Sequence, residues 1–115
     1  MIDLKTYQKY IKETHKYPSE FGIVYPVLAI CGESGEIAEK VKKIYRDHNG
    51  IISEKDRTAI KKELGDVLSY IVGTANYLDL SLEEIFEVNY QKLIKREATN
   101  TISGSGDDRE EKTID

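Results

Sequence analysis

The sequence predicts an all-α fold, a four-helix bundle built around an antiparallel central helix pair. Three observations predict it. Apolar residues recur at three- and four-residue spacings in four successive stretches. Helix-start residues (Asp3, Ser53, Ser81) and a turn-forming Asp47-Asn49-Gly50 cluster punctuate those stretches. Two pairs of acids, Glu33 with Glu36 and Glu63 with Asp66, lie three residues apart, one helical turn from each other, in the second and third stretches.

The elements follow in order. Asp3 caps a first helix whose inner positions are Leu4, Tyr7, Tyr10 or Ile11, and Thr14. Lys16-Tyr17-Pro18 ends it, because the residue before proline avoids the helical region. Ser19 to Val24 reads as a loop, and Pro26 suits the first turn of a second helix. That helix carries Val27, Ile30, Cys31, Ile37, Ala38, Val41, Ile44 and Tyr45 in one apolar arc, with Glu33 just outside one edge and Glu36 about 60° further out. Asp47 to Gly50 stops it. Ser53 with Asp56 resembles a capping box that opens a third helix, whose arc includes Ile60, Leu64, Val67, Leu68, Ile71, Val72, Ala75 and Leu78. Glu63 again lies just outside the arc, with Asp66 about 60° beyond it.

Both helices thus carry their acids on the same angular edge. The short connection makes them antiparallel neighbours, and an antiparallel pair brings equal edges to one side. Measured from the turn, the heights of the two acidic pairs agree as well. All four carboxylates should converge.

Ser81 with Glu84 is a capping box for a fourth helix, with Leu82, Ile85, Phe86 and Leu93 as its apolar face. Asn89, Lys92 and Arg96 continue the line of Ile85, so an apolar face turns polar and basic. Residues 1–97 are expected to form one helical domain. Residues 98–115, rich in Gly, Ser, Thr, Asp and Glu, are expected to form a flexible polar tail that buries too little to order itself.

The 115-residue length fits one domain, and 39% hydrophobic with 33% charged residues is the balance of a soluble globular protein. A net charge of −4 gives no attractive field for a nucleic-acid polymer. No apolar run approaches the roughly 18 residues of a membrane span, and Met1 to Tyr10 are too polar for a signal peptide. Cys31 is the one cysteine, which excludes an internal disulfide. A cytoplasmic setting is expected. A chain this small buries only about two-thirds of its surface alone, so self-association is expected too.

Four carboxylates at a core edge disfavour their own ionisation unless a cation or nearby lysines offset it. A single Glu-x-x-Glu is most often a solvated acidic face; two pairs with matched edges and heights favour a metal site. An all-oxygen donor set suits magnesium, calcium or manganese. Zinc is disfavoured, and neither His15 nor His48 supplies the Glu-x-x-His of a di-iron bundle, so both histidines read as surface residues. Magnesium on a few carboxylates keeps positions open for water and substrate phosphates. Lys40, Lys43, Lys92 and Arg96 are the candidate polyphosphate partners. The eight tyrosines read mostly as core-edge fillers, with base stacking as their alternative role.

Glu33-Ser34-Gly35-Glu36-Ile37-Ala38-Glu39, then Glu63-Leu64-Gly65-Asp66-Val67-Leu68, then Asn89-Tyr90-Gln91-Lys92-Leu93 with Arg96 together resemble the MazG-like family of all-α nucleoside triphosphate pyrophosphohydrolases, whose pattern is E-x-x-E, a spacer, and E-x-x-D. The resemblance covers about Leu4 to Arg96. It implies magnesium-dependent hydrolysis of a (deoxy)nucleoside triphosphate to the monophosphate and pyrophosphate, with manganese as the substitute ion, in the clearing of non-standard or surplus nucleotides. It implies Glu33, Glu36, Glu63 and Asp66 as metal ligands and either Glu36 or Glu39 as the group that orients or deprotonates water. It assigns Lys92 and Arg96 to phosphates and Asn89 to sugar or phosphate, and it implies a homodimer or homotetramer. The preferred base stays open. Gly104 to Arg109 is similar to the ending of small members; a disordered end is favoured there over a lid on the nucleotide. The rival readings are a non-catalytic helical interaction module and a metal-binding regulatory bundle.

Overall fold

The computed structural model describes residues 1–99, and among them there are helices and no strand. The lid expectation for Gly104 to Arg109, and nearly all of the 98–115 tail, lie outside the described residues. The helices are α1 (Leu4–Thr14), α2 (Val24–His48), α3 (Glu54–Tyr77) and α4 (Leu82–Ala98), with a single 3-10 turn at Ser19–Phe21. The all-α class read from the sequence is the observed one.

Local chemistry sets the ends. The Asp3 carboxylate accepts from the Thr6 amide at 2.8 Å, satisfying a donor that the first turn of α1 would otherwise leave unpaired. Ser53 and Ser81 each accept from the amide three residues on, at 3.1 Å, while Asp56 and Glu84 reach back to the serine amides; both capping boxes are complete. At the other end of α2, Asn49 adopts left-handed backbone (φ 53°) and Gly50 follows at φ 76°, its amide donating back to the Ile44 carbonyl at 3.2 Å.

One boundary differs from expectation. Helix α2 begins at Val24, two residues before Pro26, and the stretch read as a loop contains the 3-10 turn. Proline at the third helical position is tolerated because amides of the first turn have no helical acceptor in any case.

The first eighty residues form one compact unit, and a second begins at Ser81 and carries α4. Within the first, α2 packs on α3 and α1 packs on α3. The α2–α3 register is antiparallel: Pro26 lies beside Gly73, Glu33 beside Asp66, and Lys40 beside Glu63. Ile11, Ile44, Val72, Ala75 and Pro26 are buried. Gln8 fixes α1 to the end of α3, donating to Asn76 Oδ1 at 2.9 Å and to the Leu80 carbonyl at 2.8 Å. The apolar arcs are wider than the seams they meet, so Leu64 and Tyr45, expected to face inward, are 56% and 66% exposed. No helix among the described residues is long and apolar enough to cross a membrane.

Gly50 closes the turn that sets this register. A Cβ there would meet the Tyr45 ring at 2.8 Å on backbone with φ 76°. Gly50→Ala is expected to destabilise the chain by about 1–2 kcal/mol, the cost of left-handed backbone for an L-residue; a lowered urea midpoint with an unchanged slope checks this.

Candidate functional site

The acids meet where α2 and α3 run side by side. Glu33 on α2 and Glu63 and Asp66 on α3 each offer one carboxylate oxygen, and the three oxygens lie within 4.8 Å of one another. Glu33 and Glu63 are half-buried and Asp66 is exposed. Burial pushes the Glu33 carboxyl above its ordinary value, and the charges of Asp66, Glu63 and Glu36, with a carboxyl–carboxyl hydrogen bond to Glu63, push it further the same way. Lys40, one helical turn beyond Glu36 on α2, sets its Nζ 3.6 Å from Glu63 Oε1.

The other residues singled out from sequence are placed as follows. Glu36 is exposed and is not one of the converging three, yet its charge reaches Glu33. Glu39 accepts from Lys42 Nζ at 2.9 Å on the exposed face of α2, and that bond holds its carboxyl below the ordinary range. Lys43 lines a surface depression with Lys40 near the α2–α3 turn. On α4, Asn89 is exposed, Lys92 half-buried and Arg96 buried.

Sequence reasoning missed an aromatic flank. Tyr7 on α1 and Tyr70 on α3 have hydroxyls pushed up mainly by burial, with Asp66 adding to both and Glu33 to Tyr70. The His15 ring tilts against Tyr70 at 5.1 Å, Tyr17 stacks on Tyr25 at 4.5 Å, and Tyr25 lies 6.4 Å from Tyr70. His15 is therefore not the plain surface residue expected: its ring is half-buried and its Nδ1 is buried with no hydrogen-bond partner among the described residues. His48 is exposed, as expected. The inward face of Tyr7 was readable, since it stands one turn before buried Ile11. Its nearness to Asp66 was not.

The donor set fits a hard divalent cation. It is all carboxylate oxygen, it converges, and the electrostatic strain on Glu33 is of the sign that a bound cation relieves. Lys40 compensates part of the Glu63 charge.

A raised carboxyl pKa has a definite linkage consequence. The folded chain binds the Glu33 proton more tightly than the unfolded chain does, so this group's contribution to stability is present at low pH and is lost as pH rises through the raised value. In EDTA, Glu33→Gln is expected to match the parent's melting temperature in acid and to exceed it increasingly as pH rises above the ordinary glutamate value of 4.5. Adding magnesium should stabilise the parent and not the variant. Thermal melts across pH, with and without the ion, check both.

The family model of the MazG nucleotide pyrophosphohydrolase domain matches residues 26–100, a span that holds both acidic pairs and α4. The Gene 37 protein of Mycobacterium phage L5 is 41% identical over 109 residues, covering 90% of this chain and 96% of that protein, and its name states no activity. No solved structure matches. Members of this family generally hydrolyse the pyrophosphate bond of nucleoside triphosphates and typically depend on a divalent metal. On the extent of these matches, the chain belongs to the MazG nucleotide pyrophosphohydrolase domain family.

Proposed function

We propose that this protein is a magnesium-dependent pyrophosphohydrolase that converts a (deoxy)nucleoside triphosphate to its monophosphate and pyrophosphate, clearing surplus or non-standard nucleotides in the cytoplasm. The observation that carries this reading is the convergence of the Glu33, Glu63 and Asp66 oxygens within 4.8 Å on one side of the antiparallel pair. Those three residues, with Glu36 one turn beyond Glu33, would hold the ion. When bound, the cation neutralises phosphate charge and polarises the phosphoryl oxygens, with manganese able to substitute.

The chain's own groups do the rest in this reading. Glu36 takes the proton of the water that adds across the anhydride between the α and β phosphates. Glu39 is the weaker candidate for that task, because Lys42 lowers its basicity. Lys40 exchanges its contact with Glu63 for a phosphate oxygen. The phosphates are also met by Lys92 and Arg96, and sugar or phosphate by Asn89, all three on α4 within the span that the family model matches. The base preference is to be read from a panel of canonical and modified triphosphates.

Asp66→Asn and Glu63→Gln are expected to lower pyrophosphate release by more than about 100-fold, since even residues that only orient a metal ligand cost 10–100-fold. Glu36→Gln should fall likewise, while Glu39→Gln stays within a few-fold of the parent. Circular dichroism should show the helices intact. Metal affinity without turnover in the parent would instead favour a regulatory metal-binding bundle, and neither metal binding nor turnover a plain interaction module.

The same reading includes a homodimer or homotetramer. Leu64 and Leu68, one turn apart on α3, are 56% and 39% exposed, and Val24 and Leu28, one turn apart on α2, are 55% and 64% exposed. Apolar stripes of this kind on a small chain mark an interaction surface. Light scattering should give a multiple of the 13.1 kDa chain mass, reduced to one chain by Leu64→Glu combined with Leu68→Glu.

A further inference from the structure

Two adjoining surface depressions lie between the acidic trio and the α2–α3 turn. One, of about 200 Å³, is lined by Lys40, Lys43, Asp47, His48, Lys55 and Asp56 over an apolar floor that includes Ile44. Its neighbour, of about 530 Å³, shares Lys40 and Lys55 and adds Lys62, Glu54 and Glu63.

The acids here are already engaged. Both Asp47 oxygens take the Arg46 guanidinium at 2.8 Å. One Asp56 oxygen accepts from the Ser53 amide at 3.0 Å and from its hydroxyl at 2.9 Å. Glu54 faces Arg57, and Glu63 faces Lys40, each at 3.6 Å. Lys43, Lys55 and Lys62 make no ion pair within 4.0 Å among the described residues. The smaller depression is therefore lined by three lysines against two carboxylates that already have partners, in a chain whose net charge is −4.

From this geometry we infer that the smaller depression is a second, metal-independent binding site for a small phosphate-bearing anion, held by Lys43 and Lys55. The volume limits the ligand: about 200 Å³ is below the roughly 300 Å³ at which pockets for drug-sized molecules begin, which favours a phosphate or pyrophosphate group over a whole nucleotide. Lys40 borders both this depression and the acidic trio, but Lys55 stands apart from the trio. Lys55 precedes Glu63 by two helical turns, about 12 Å along the axis, whereas a magnesium ion touches its ligands at about 2 Å. A chelated cation is thus not part of this site.

The test uses the whole chain in EDTA with pyrophosphate as the probe, followed by calorimetry and by amide shifts, neither of which depends on turnover or on a metal. Saturable binding is expected, with shifts concentrated at residues 43–48 and 54–59. Lys43→Gln with Lys55→Gln should weaken it at least tenfold while keeping the helical spectrum, and Asp66→Asn should leave it within about twofold. A nucleoside triphosphate in the same buffer distinguishes the source of the anion: equal affinity points to free pyrophosphate, and tighter binding lost in the same double variant points to a nucleotide's phosphate tail. No saturable binding, binding indifferent to the double variant, or shifts centred elsewhere overturns the inference. Failure of the hydrolase reading would appear separately, as absent turnover with this binding intact.

Discussion

Repulsion among carboxylates on one margin of a helix pair is the constraint on which the rest of this molecule turns. Glu33, Glu63 and Asp66 meet only because α2 and α3 run antiparallel, and they run antiparallel because residues 49–53 are too few to carry the chain back along α2. The left-handed backbone at Asn49 and Gly50 is therefore as necessary to the site as the acids. Chain geometry creates an electrostatic cost, and that cost determines which ligand the site favours.

The parts of the fold fixed by local chemistry were open to reading. Asp3, Ser53 and Ser81 announced three helix starts because each accepts a bond from an amide only three residues away, and Asn49-Gly50 announced a stop for an equally local reason. The start of α2 was misplaced because Ile23 caps without any side-chain bond, so the sequence carried no signal there beyond Pro26. Angular bookkeeping placed all four acids on one margin; the oxygens of Glu33, Glu63 and Asp66 meet there, while exposed Glu36 stands outside that trio although its 60° offset equals that of Asp66. Glu39 and Lys42 stand at a three-residue helical spacing, which lets them pair and lowers the Glu39 carboxyl, with Lys43 and Arg46 adding to the shift. Tyr70 stands one turn after Asp66 on α3 and was legible as its neighbour, whereas Tyr7 reaches Asp66 through the docking of α1 on α3, which joins positions far apart in the chain.

That flank alters the electrostatics it borders. Tyr70, His15, Tyr25 and Tyr17 form a continuous aromatic series, and Tyr70 is near enough to feel both Glu33 and Asp66. Apolar ring surface in place of water lowers the local dielectric, which strengthens repulsion among the acids and attraction to a cation together. The half-burial of Glu33 and Glu63 beside exposed Asp66 gives the trio a sheltered side and a wet side, so a ligand can enter without the chain opening.

Lys40 decides how much of this strain is left for a cation to relieve. Its 3.6 Å contact with Glu63 is long for an ion pair, and the lysine side chain keeps 37% of its exposure. A partly exposed pair of that length contributes at most about 1 kcal/mol. One ammonium against three carboxylates leaves the trio net negative, and burial still holds the Glu33 carboxyl above its ordinary value. A buried arginine in the same place would have fixed the acids as structure, because its planar fork binds a carboxylate in two places. A flexible, partly hydrated lysine damps the repulsion enough for the helices to close and yields Glu63 at little cost. Whatever brings two positive charges to that margin needs to displace only one.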